Sequence, residues 1–540
     1  MCRLTGVEPA GVLLDTERAS FKRRQKNLVR NIRANGWSYP IFRILEAVCE
    51  MTTSAVNHAA VSHAEVRKVL KGAFPDACFS LAELGEKYGM SVHPVGSLNS
   101  ANAIRIISEC RADLGIVLGT RILTPGTFSV PRMGCINLHK GKVPEYRGMP
   151  PGFWELYDGV SSAGVTVHIV DEELDAGDIV AASSVPILKL ETPESLREKL
   201  HAEGARTLAL AVAVIRDGNA NLQPQEKSSL KPRSKPTRAE LASLQKRLPH
   251  WKRKSEAFRI VRNLYVLLVY YSGLYFAVRQ WHRLSRSRGA IILFHRVNDY
   301  SKDVLTVDPA TFAAQLLAVS KRYPFSSTAD LVERILAAKP LQPTTVAIHF
   351  DDCYREILTN GAPIMKVLGI PACAFINSGY IDTDRSFPHD VTKVPFTYEM
   401  LRSSDVKAWS RLGFEVGAHT VNHVDLGNCT LETANYEIVQ CRQDLEKLIG
   451  RPVNLFSFPY GRVDNISVQT RQLIQTADYA ALFAAHGGFL GLRTNPYDIP
   501  RTAAHYESSP VYCLLQIEGL TLGQIAAHMP SRRGRTGCKS

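Results

Sequence analysis

Apolar runs that alternate with helical patterns divide this chain into two α/β regions. Between residues 64 and 130, apolar positions at helical spacing (Glu65 to Leu70, Ala101 to Arg111) alternate with short apolar strands. The same alternation starts again after Arg288, with a first strand over 289–294. Strands separated by helices are typical of parallel sheets covered by helices. The pattern therefore predicts an α/β chain with at least two domains.

Strands of the first region deliver three chemically useful side chains to one place. A buried strand is predicted over 112–118, and Asn137 and His139 follow it two residues apart, so in an extended segment both point to one face. A further strand over 164–170 leads to Asp175 in the next turn. Because ligands of parallel sheets bind at the carboxyl ends of strands, the three side chains are expected to share a cleft.

An amide, an imidazole and a carboxylate suit acyl transfer to an amine. Asn137 and a protonated His139 would hold the negative charge that forms on the carbonyl oxygen. Asp175 would orient the imidazole or accept the proton of the amine. Taken alone, each residue is more often structural, with Asn137 closing a turn and His139 packed. The ordered combination favours the catalytic interpretation.

These residues carry a family resemblance. Asn137-Leu-His139, Pro144-Glu-Tyr-Arg-Gly148, Gly164-Val-Thr-Val-His168 and Leu174-Asp-Ala-Gly177 resemble the formyltransferases that use 10-formyltetrahydrofolate. That family includes methionyl-tRNA, glycinamide-ribonucleotide and amino-sugar enzymes. The resemblance covers roughly residues 8 to 245. It implies a Rossmann-like domain, the co-substrate 10-formyltetrahydrofolate, and Asn137, His139 and Asp175 as the catalytic trio.

The first region departs from the family pattern in two ways. Many members have His-Pro-Ser-Leu-Leu-Pro where this chain has His139-Lys-Gly-Lys-Val-Pro144, which leaves the substrate loop open. Members usually begin with an extra strand and a glycine-containing turn, and the sequence from Met1 onward lacks them. Either the given start is late or the co-substrate half is altered.

Composition places the chain among globular proteins of a reducing compartment. It has 540 residues and a net charge of +14, and its eleven cysteines form no Cys-x-x-Cys pair. An odd number of scattered cysteines argues against a disulfide framework. The first twenty residues show no secretory signal. A cytoplasmic location is therefore predicted, peripheral on the inner face of a membrane if the basic segment binds lipid.

The charge is concentrated between the two regions. Residues 226–288 hold sixteen Lys or Arg and three Glu, a net charge of +13, and include an uncharged, tyrosine-rich stretch at 263–278. Sixteen helical residues reach about 24 Å, short of a hydrocarbon core of roughly 30 Å. Basic residues flank the stretch on both sides, so an interfacial or packed helix is favoured over a span. A membrane surface through 252–288 and a solvated linker remain the leading alternatives, ahead of nucleic acid.

These observations set the predicted domain bounds. The chain divides into a formyltransferase-like domain at 1–222, a basic linker at 223–288, a second catalytic domain at 289–520 and a basic tail at 521–540.

Carboxylates and paired histidines mark a second centre. The strand over 344–350 ends in Asp351-Asp352, and His419 and His423 follow four residues apart, which would place them on one face of a helical turn. Asp352, His419 and His423 would give a divalent metal, zinc first, three ligands and an open position for water. Asp351 would then remove the proton of that water. Alone, an Asp-Asp pair after a strand is more often a turn or a cap.

Three segments of this region also resemble a family. Phe350-Asp-Asp-Cys-Tyr354, His419-x-x-x-His423 and Phe458-Pro-Tyr-Gly461 resemble NodB-type polysaccharide deacetylases, over roughly residues 289 to 520. The resemblance implies a distorted (β/α) barrel, Asp351 as base, the Tyr460 backbone at the oxyanion and Arg501 orienting the base. Departures are His349 and Cys353 where Thr and Gly are usual, and a missing Leu-x-x-His segment, for which His505 is a weak substitute.

Both centres act on N-acyl bonds, and this suggests one pathway. The sequence predicts a bifunctional enzyme of surface-glycan or lipid-linked-sugar assembly, which formylates an amino sugar carried on a nucleotide or polyprenyl group and hydrolyses an N-acyl group from a related sugar. One alternative is a formyltransferase for aminoacyl-tRNA or another amine, whose basic segment holds RNA. The other is a deacetylase with a non-catalytic front scaffold.

Overall fold

The chain folds into two compact units. The computed structural model describes residues 6–17, 21–225, 231–251, 256–285, 288–301, 303–341, 343–393, 397–505 and 507–528. The first unit comprises Met1–Ile44, Cys78–Arg253 and Thr392–Pro395, and the second comprises Leu45–Ala77, Lys254–Val391 and Phe396–Ser540. Residues 45–77, which the sequence pattern places in a front domain at 1–222, thus belong to the second unit.

The first unit contains a four-stranded mixed sheet and a separate pair of strands. Its strands are β1 (Gly11–Asp15), β2 (Ser91–Val95), β3 (Gly115–Val117), β4 (Cys135–His139), β5 (Ser162–Ile169) and β6 (Ile179–Pro186). Strands β1 and β2 pair in parallel, as do β3 and β4, whereas β5 is antiparallel to both β4 and β6. The predicted parallel pattern is therefore confirmed before β4. It ends at β5, which is antiparallel to β4. The connection at 170–178 is too short for a crossover helix, so β5 and β6 are antiparallel as well.

In the described residues between 21 and 247 there are nine helices. They are α1 (Phe21–Asn35), α2 (Ser38–His58), α3 (His63–Ala73), α4 (Leu81–Tyr88), α5 (Ala101–Cys110), α6 (Pro125–Phe128), α7 (Phe153–Asp158), α8 (Pro193–Arg216) and α9 (Arg238–Arg247). Polar N-caps start several of them: the side chains of Ser80, Ser100 and Thr192 each accept a hydrogen bond from a first-turn N–H. Leu196 and Leu200 of α8 are fully buried with Val165 of β5, which fixes the sheet that carries the first site.

The second unit is built on a seven-stranded parallel sheet. Its strands are β7 (Gly289–Phe294), β8 (Arg296–Val297), β9 (Thr306–Val307), β10 (Thr345–Asp351), β11 (Ala372–Ile376), β12 (Glu415–Ala418), β13 (Leu455–Ser457), β14 (Ala481–Phe483) and β15 (Thr502–Ala503). The order in the main sheet is β14-β13-β12-β11-β10-β7-β15, and β8 pairs with β9 outside it. A bridge between Phe483 and Ile499 brings β14 close to the segment before β15, so the sheet curls almost closed. This is the predicted distorted barrel.

Helices cover this sheet and continue to residue 528. They are α10 (Glu256–Tyr271), α11 (Leu274–Ser285), α12 (Pro309–Ser320), α13 (Thr328–Leu336), α14 (Ala362–Leu368), α15 (Pro388–Lys393), α16 (Ser403–Arg411), α17 (Leu431–Ile449), α18 (Val468–Thr476), α19 (Pro510–Glu518) and α20 (Leu522–His528). The barrel core contains large side chains from several strands, among them Phe375 and Phe483, neither of which is exposed.

The segment predicted as a basic linker, 223–288, is helical over much of its length. It contains α9, α10 and α11. Trp251, in the same predicted linker, is buried in the first unit, where its indole N–H donates to Glu194 at 2.8 Å. Within the described residues no single helix is long and apolar enough to cross a membrane; only α10 and α11 together pass that test, and they are bent by 58°. Residues 252–255 and 529–540, which hold parts of the predicted basic clusters, lie outside the described residues.

Candidate active sites

The first site forms where β4 and β5 pair. Antiparallel register sets Asn137 opposite His168 and His139 opposite Thr166. The chain then leaves β5 and returns Asp175 to the same place in a left-handed conformation, with φ 51°. Non-glycine residues adopt this conformation at a cost, and such strain is commonly found at functional sites.

The three predicted side chains meet. Asn137 Nδ2 donates to Asp175 Oδ1 at 3.2 Å, and His139 Nδ1 lies 3.5 Å from Asp175 Oδ2. The backbone N–H of Gly148 also donates to Oδ2, at 3.2 Å. His139 and Asp175 are both buried. The structure thus brings together the amide, imidazole and carboxylate that the sequence singled out.

Electrostatics favour a neutral imidazole beside a charged carboxylate. Burial lowers the pKa of His139, although the charge of Asp175 opposes the shift. Burial acts to raise the pKa of Asp175, but its hydrogen bond with His168 and the charge of His139 outweigh burial and lower that pKa. His139 Nε2 lies 2.8 Å from the carbonyl oxygen of Tyr146, which can only accept, so Nε2 carries a proton. The sequence predicts a positively charged, protonated His139, whereas burial favours the neutral imidazole.

His168 is a further member of the site that sequence reasoning missed. Its Nε2 lies 3.2 Å from Asn137 Nδ2 and 3.5 Å from Asp175 Oδ1, and its Nδ1 lies 2.7 Å from the carbonyl oxygen of Ile169. The signal was present, since His168 lies in the strand predicted over 164–170. Only the pairing of β5 with β4 shows that it faces Asn137.

The second site lies at the carboxyl ends of the barrel strands. Asp351 ends β10, His419 follows β12, and Tyr460 follows β13. Parallel pairing aligns these ends, because Asp351 is level with Phe375 of β11. Carboxyl ends of parallel strands are where α/β folds bind their ligands.

Asp352, His419 and His423 form a cluster suited to a cation. Their nearest ligand atoms all lie within 4.8 Å of one another, and all three residues are buried. Asp352 Oδ1 is 3.6 Å from His419 Nε2 and 3.2 Å from His423 Nε2. The two histidines do not share a helical turn, as the spacing had suggested. They lie in a bent loop after β12, in which Thr420 and His423 have positive φ angles of 65° and 57°.

Donor chemistry at this cluster fits a divalent metal. Asp352 Oδ1 is buried and, within the described residues, forms no hydrogen bond of good geometry. His419 Nδ1 lies 2.7 Å from the carbonyl oxygen of Ser457, which fixes a proton on Nδ1 and leaves the Nε2 lone pair facing Asp352. Burial lowers the pKa of His419 to about 4, so the ring is neutral, as a metal ligand must be. A carboxylate and two imidazoles leave a position open, as in catalytic zinc sites.

Asp351 is held beside the metal-ligand cluster by the side chain of Arg501. Arg501 Nη1 and Nη2 donate to Asp351 Oδ1 and Oδ2, each at 2.7 Å, and the hydroxyl of Ser457 donates to Oδ2 at 3.2 Å. Arg501 is itself fixed by donating from Nε to the carbonyl oxygen of Ala484. Burial acts to raise the pKa of Asp351, but Arg501 outweighs burial and lowers the pKa. The carboxylate is therefore charged and oriented.

The turn after β13 presents Tyr460 at the mouth of the site. Its ring lies edge-on to the His423 ring, with centroids 4.9 Å apart, and its backbone has φ 63°. Within the described residues no group accepts a hydrogen bond from the Tyr460 N–H. Asp352, Thr420 and His423 also have positive φ angles, so several unfavourable backbone conformations are concentrated around this site.

Two further imidazoles reach the site. His295 directly follows β7, whose Phe294 is paired with Phe350, so His295 emerges level with Asp351. Burial lowers the pKa of His295, while the charges of Asp352 and Asp351 oppose the shift. His389 Nε2 lies 3.9 Å from Asp352 Oδ2 and 3.1 Å from the Tyr354 hydroxyl. Neither histidine was singled out from the sequence. The position of His295 directly after the first barrel strand was the sequence feature that could have identified it as a site residue.

His505, the weak substitute for the histidine of the missing Leu-x-x-His segment, lies in a loop before α19. Its ring Nδ1 accepts a hydrogen bond from the backbone N–H of Glu507 at 3.2 Å, and the backbone N–H of His505 donates to Ser508 Oγ. These contacts describe a structural histidine, which is the alternative that the sequence left open.

The two unusual residues on either side of the carboxylates are packed in the core. His349 is buried between Phe375 and Phe483, with ring centroids 5.1 and 4.8 Å away, and burial lowers its pKa well below the ordinary value. Cys353 is fully buried, and burial raises the pKa of its thiol. A buried thiol of raised pKa is a poor nucleophile, so Cys353 acts as a small core residue and not as an oxidation-sensitive group.

Each of the two regions matches a known protein family over part of its length. Residues 63–212 match the formyl transferase family model, and residues 338–482 match the polysaccharide deacetylase family model. A methionyl-tRNA formyltransferase of Agathobacter rectalis is 38% identical over 145 residues, which are 26% of this chain and 46% of that protein. This chain thus spans less than half the length of that curated relative.

Solved structures are similar at lower identity. A deacetylase of Streptococcus pyogenes in complex with acetate is 19% identical, with 43% of this chain and 99% of that chain covered and a TM-score of 0.38. A phosphoribosylglycinamide formyltransferase of Bacillus halodurans is 21% identical, with 26% and 77% covered and a TM-score of 0.24.

Proposed function

We propose that this chain, which joins a formyl transferase region to a polysaccharide deacetylase region, is a bifunctional enzyme that forms one N-acyl bond and hydrolyses another. Its first site transfers a formyl group from 10-formyltetrahydrofolate to an amino sugar, and its second removes an N-acyl group from a sugar. The observation that carries the proposal is that the chain holds two separate clusters of side chains, one around Asp175 and one around Asp352, each suited to chemistry at an N-acyl bond.

In the first site, the amine nitrogen bonds to the formyl carbon, the bond to N10 of the folate breaks, and N10 takes up a proton. Asn137 Nδ2 is the donor for the oxygen that becomes negative. The two N–H groups of that amide face Asp175 Oδ1 and His168 Nε2, so the incoming carbonyl replaces one of these two contacts. Asp175, kept ionised by its neighbours, accepts the proton of the amine.

His139 and His168 act by positioning Asp175 from two sides. Each imidazole lies 3.5 Å from a different carboxylate oxygen. In the neutral form of His139 the proton lies on Nε2, so Nδ1 faces Asp175 as an acceptor and can take over the proton that the carboxylate receives from the amine. The neutral form favoured for His139 is the form that accepts a proton.

In the second site, Asp352, His419 and His423 would hold a divalent metal, zinc first. When bound, the metal polarises the amide carbonyl and lowers the pKa of water. Asp351, fixed by Arg501 and Ser457, accepts the proton of the attacking water.

The remaining protein groups of the second site complete the hydrolysis. The Tyr460 N–H donates to the oxyanion, and His295 or His389 donates a proton to the leaving nitrogen. The C–N bond then breaks, and the products are a carboxylic acid and a free amine on the sugar.

An amino-sugar substrate is favoured because a single chain then acts twice on related molecules. The polysaccharide deacetylase match supports sugar chemistry in the second region. Several curated relatives of the first region are methionyl-tRNA formyltransferases, and this supports an aminoacyl-tRNA as the second candidate.

The proposal is tested by incubating the full chain with 10-formyltetrahydrofolate and either a panel of nucleotide-linked amino sugars or methionyl-tRNA. Product masses are recorded, and the panel is repeated with N-formyl and N-acetyl sugars in the absence of folate. A formyl mass gain on a sugar and an acyl mass loss from a sugar support the proposal. A formyl mass gain on methionyl-tRNA alone supports the second candidate. The absence of a formyl mass gain on any amine refutes the proposed transferase activity.

A further inference from the structure

Helices α10 and α11 are fixed to the second unit by their inner faces. On α10, Asn263 Nδ2 donates to Thr53 Oγ1 at 3.1 Å, and the Tyr265 hydroxyl donates to the carbonyl oxygen of Leu520 at 2.9 Å. On α11, the fully buried Tyr275 hydroxyl lies 2.9 Å from that of Tyr323. The orientation of both helices is therefore set by buried polar contacts as well as by packing.

Their outer faces are apolar and exposed. The large side chains on this outer face are Val261, Leu264, Leu268 and Tyr271 of α10, and Leu274, Phe276, Trp281 and Leu284 of α11. Leu268 is 67% exposed, Trp281 64% and Leu284 73%. The spacing of three and four residues places the α10 side chains along one side of that helix, and on α11 it groups Leu274, Trp281 and Leu284, with Phe276 to one side of them. A contiguous apolar face of this kind marks an interaction surface.

A basic recess borders this outer face. Arg279 and Arg283 of α11 and Arg322, just after α12, line a recess of about 200 Å³ together with Tyr323, Pro324 and Thr344. Arg322 is oriented by donating to the Tyr270 hydroxyl at 2.6 Å, and the Arg279 guanidinium lies 5.2 Å from the Tyr323 ring centroid. Arg279 also donates to the carbonyl oxygen of Arg322, and Arg322 to that of Ala318, so three arginines line one space with part of their donor capacity already used.

Within the part of the chain that the structure describes, the three arginines of the recess form no ion pair, although the Glu518 carboxylate accepts from the Tyr323 hydroxyl. The neighbouring ion pairs join Lys321 to Glu65 and His282 to Glu518, and among the described residues no carboxylate pairs with Arg279, Arg283 or Arg322. Guanidinium groups bind phosphate through forked hydrogen bonds. Three of them without a carboxylate, beside an apolar face, match the chemistry of a lipid that carries a phosphate above its acyl chains.

We propose that the outer face of α10 and α11 docks on an anionic lipid bilayer, with a lipid phosphate seated in the recess formed by Arg279, Arg283 and Arg322. The apolar side chains enter the boundary between headgroups and acyl chains, while the inner faces stay packed on the second unit. Docking holds the second unit against a surface that can carry lipid-linked sugars. The inference does not require either proposed activity, so its failure leaves both activities standing.

Vesicle binding by the full chain tests this proposal. The protein is floated with vesicles of phosphatidylcholine alone and of phosphatidylcholine mixed with phosphatidylglycerol. We expect binding to the anionic vesicles that weakens as salt is raised. Arg283→Glu, which reverses one charge at the edge of the recess, is expected to weaken binding about 30-fold. Leu284→Gln, on the apolar face, is expected to weaken binding about tenfold.

Matched variants keep the test specific. Arg493→Glu reverses an exposed charge elsewhere on the second unit, and Val468→Gln replaces a side chain that is 71% exposed. Both are expected to bind as the unmodified protein does, and all four variants should keep its thermal unfolding midpoint. Equal binding to neutral and anionic vesicles, or no difference between test and control variants, would overturn the proposal. Binding of inorganic phosphate by the protein without binding to anionic vesicles would also overturn it, by showing a site for soluble anions.

Discussion

Two hydrogen bonds of 2.7 Å each join the guanidinium of Arg501 to the carboxylate of Asp351. The two residues lie 150 positions apart in the chain, and both are buried. A forked pair fixes the plane of the carboxylate as well as its charge. The base of the proposed hydrolase is therefore oriented before substrate binds.

Replacing Arg501 by lysine should impair catalysis more than folding. Lysine keeps the positive charge beside Asp351 but cannot make both hydrogen bonds, so the carboxylate is misoriented. We expect kcat of the deacylation to fall roughly 10²-fold, because a misplacement of about 1 Å has effects of this size. Bound metal should be unchanged, and Arg493→Lys, at an exposed position, should leave kcat unaltered. Equal kcat in the Arg501→Lys variant would show that orientation of Asp351 does not matter.

Loss of one metal ligand should weaken metal binding strongly without unfolding the chain. His423→Ala removes one of three donors, and zinc affinity should fall more than roughly 100-fold, beyond the effect of altering an outer-shell partner. Equilibrium dialysis with zinc measures this directly. His486→Ala, which replaces an exposed histidine of the same unit, is the matched control and should keep the zinc affinity of the unmodified protein. Retention of one metal per chain by His423→Ala would refute the assigned ligand set.

The proton donor of the hydrolase is expected to be His295 or His389. Removing the true donor should lower kcat by 10²–10⁴-fold while bound metal is kept. The effect should shrink for a substrate analogue whose leaving group needs no proton, such as an aryl ester. His295→Gln and His389→Gln are compared on both substrates. Loss of kcat on the amide alone identifies the donor, and unchanged kcat in both variants would exclude both residues.

A buried carboxyl in the first unit should make stability depend on pH. Glu155 of α7 is 2% exposed, its Oε1 has no hydrogen-bond partner among the described residues, and burial raises its pKa from 4.5 to about 7. The folded state binds the proton more tightly than the unfolded state, so stability is full below pH 4.5 and falls as pH rises through 7.

Glu155→Gln removes this dependence. At pH 8 the variant should be more stable than the unmodified protein, by on the order of 3 kcal/mol at most. At pH 4 the two should have similar stability. Urea unfolding at the two pH values measures the difference. An equal effect at both pH values would attribute it to packing and not to ionisation.

Much of both sites could be predicted because their residues lie at the ends of apolar strands. Asn137 and His139 sit in a short strand, and Asp351-Asp352 end a continuous apolar run, so the sequence locates them. His168, His295 and His389 could not be found in this way, because their roles depend on which strands pair and where a loop returns. The geometry of His419 and His423 was wrong for the same reason: a four-residue spacing indicates a helix, but a loop with positive φ angles also brings them together.

Domain bounds were harder to infer than sites. The stretch 45–77 lies between two segments of the first unit yet belongs to the second. The basic region at 223–288 has the composition of a linker, but its apolar positions form α9, α10 and α11. Charge density alone does not show whether the apolar face of a helix is packed against a core.

The most direct test of the central claim measures both activities in the same preparations of the full chain. Asp175→Asn should lose formyl transfer and keep deacylation, because it alters only the first site, while Asp352→Asn should lose metal and deacylation and keep formyl transfer. The unmodified chain should show both. If it shows neither, or if either substitution removes both activities without lowering the thermal unfolding midpoint, two independent catalytic centres in one chain would be contradicted.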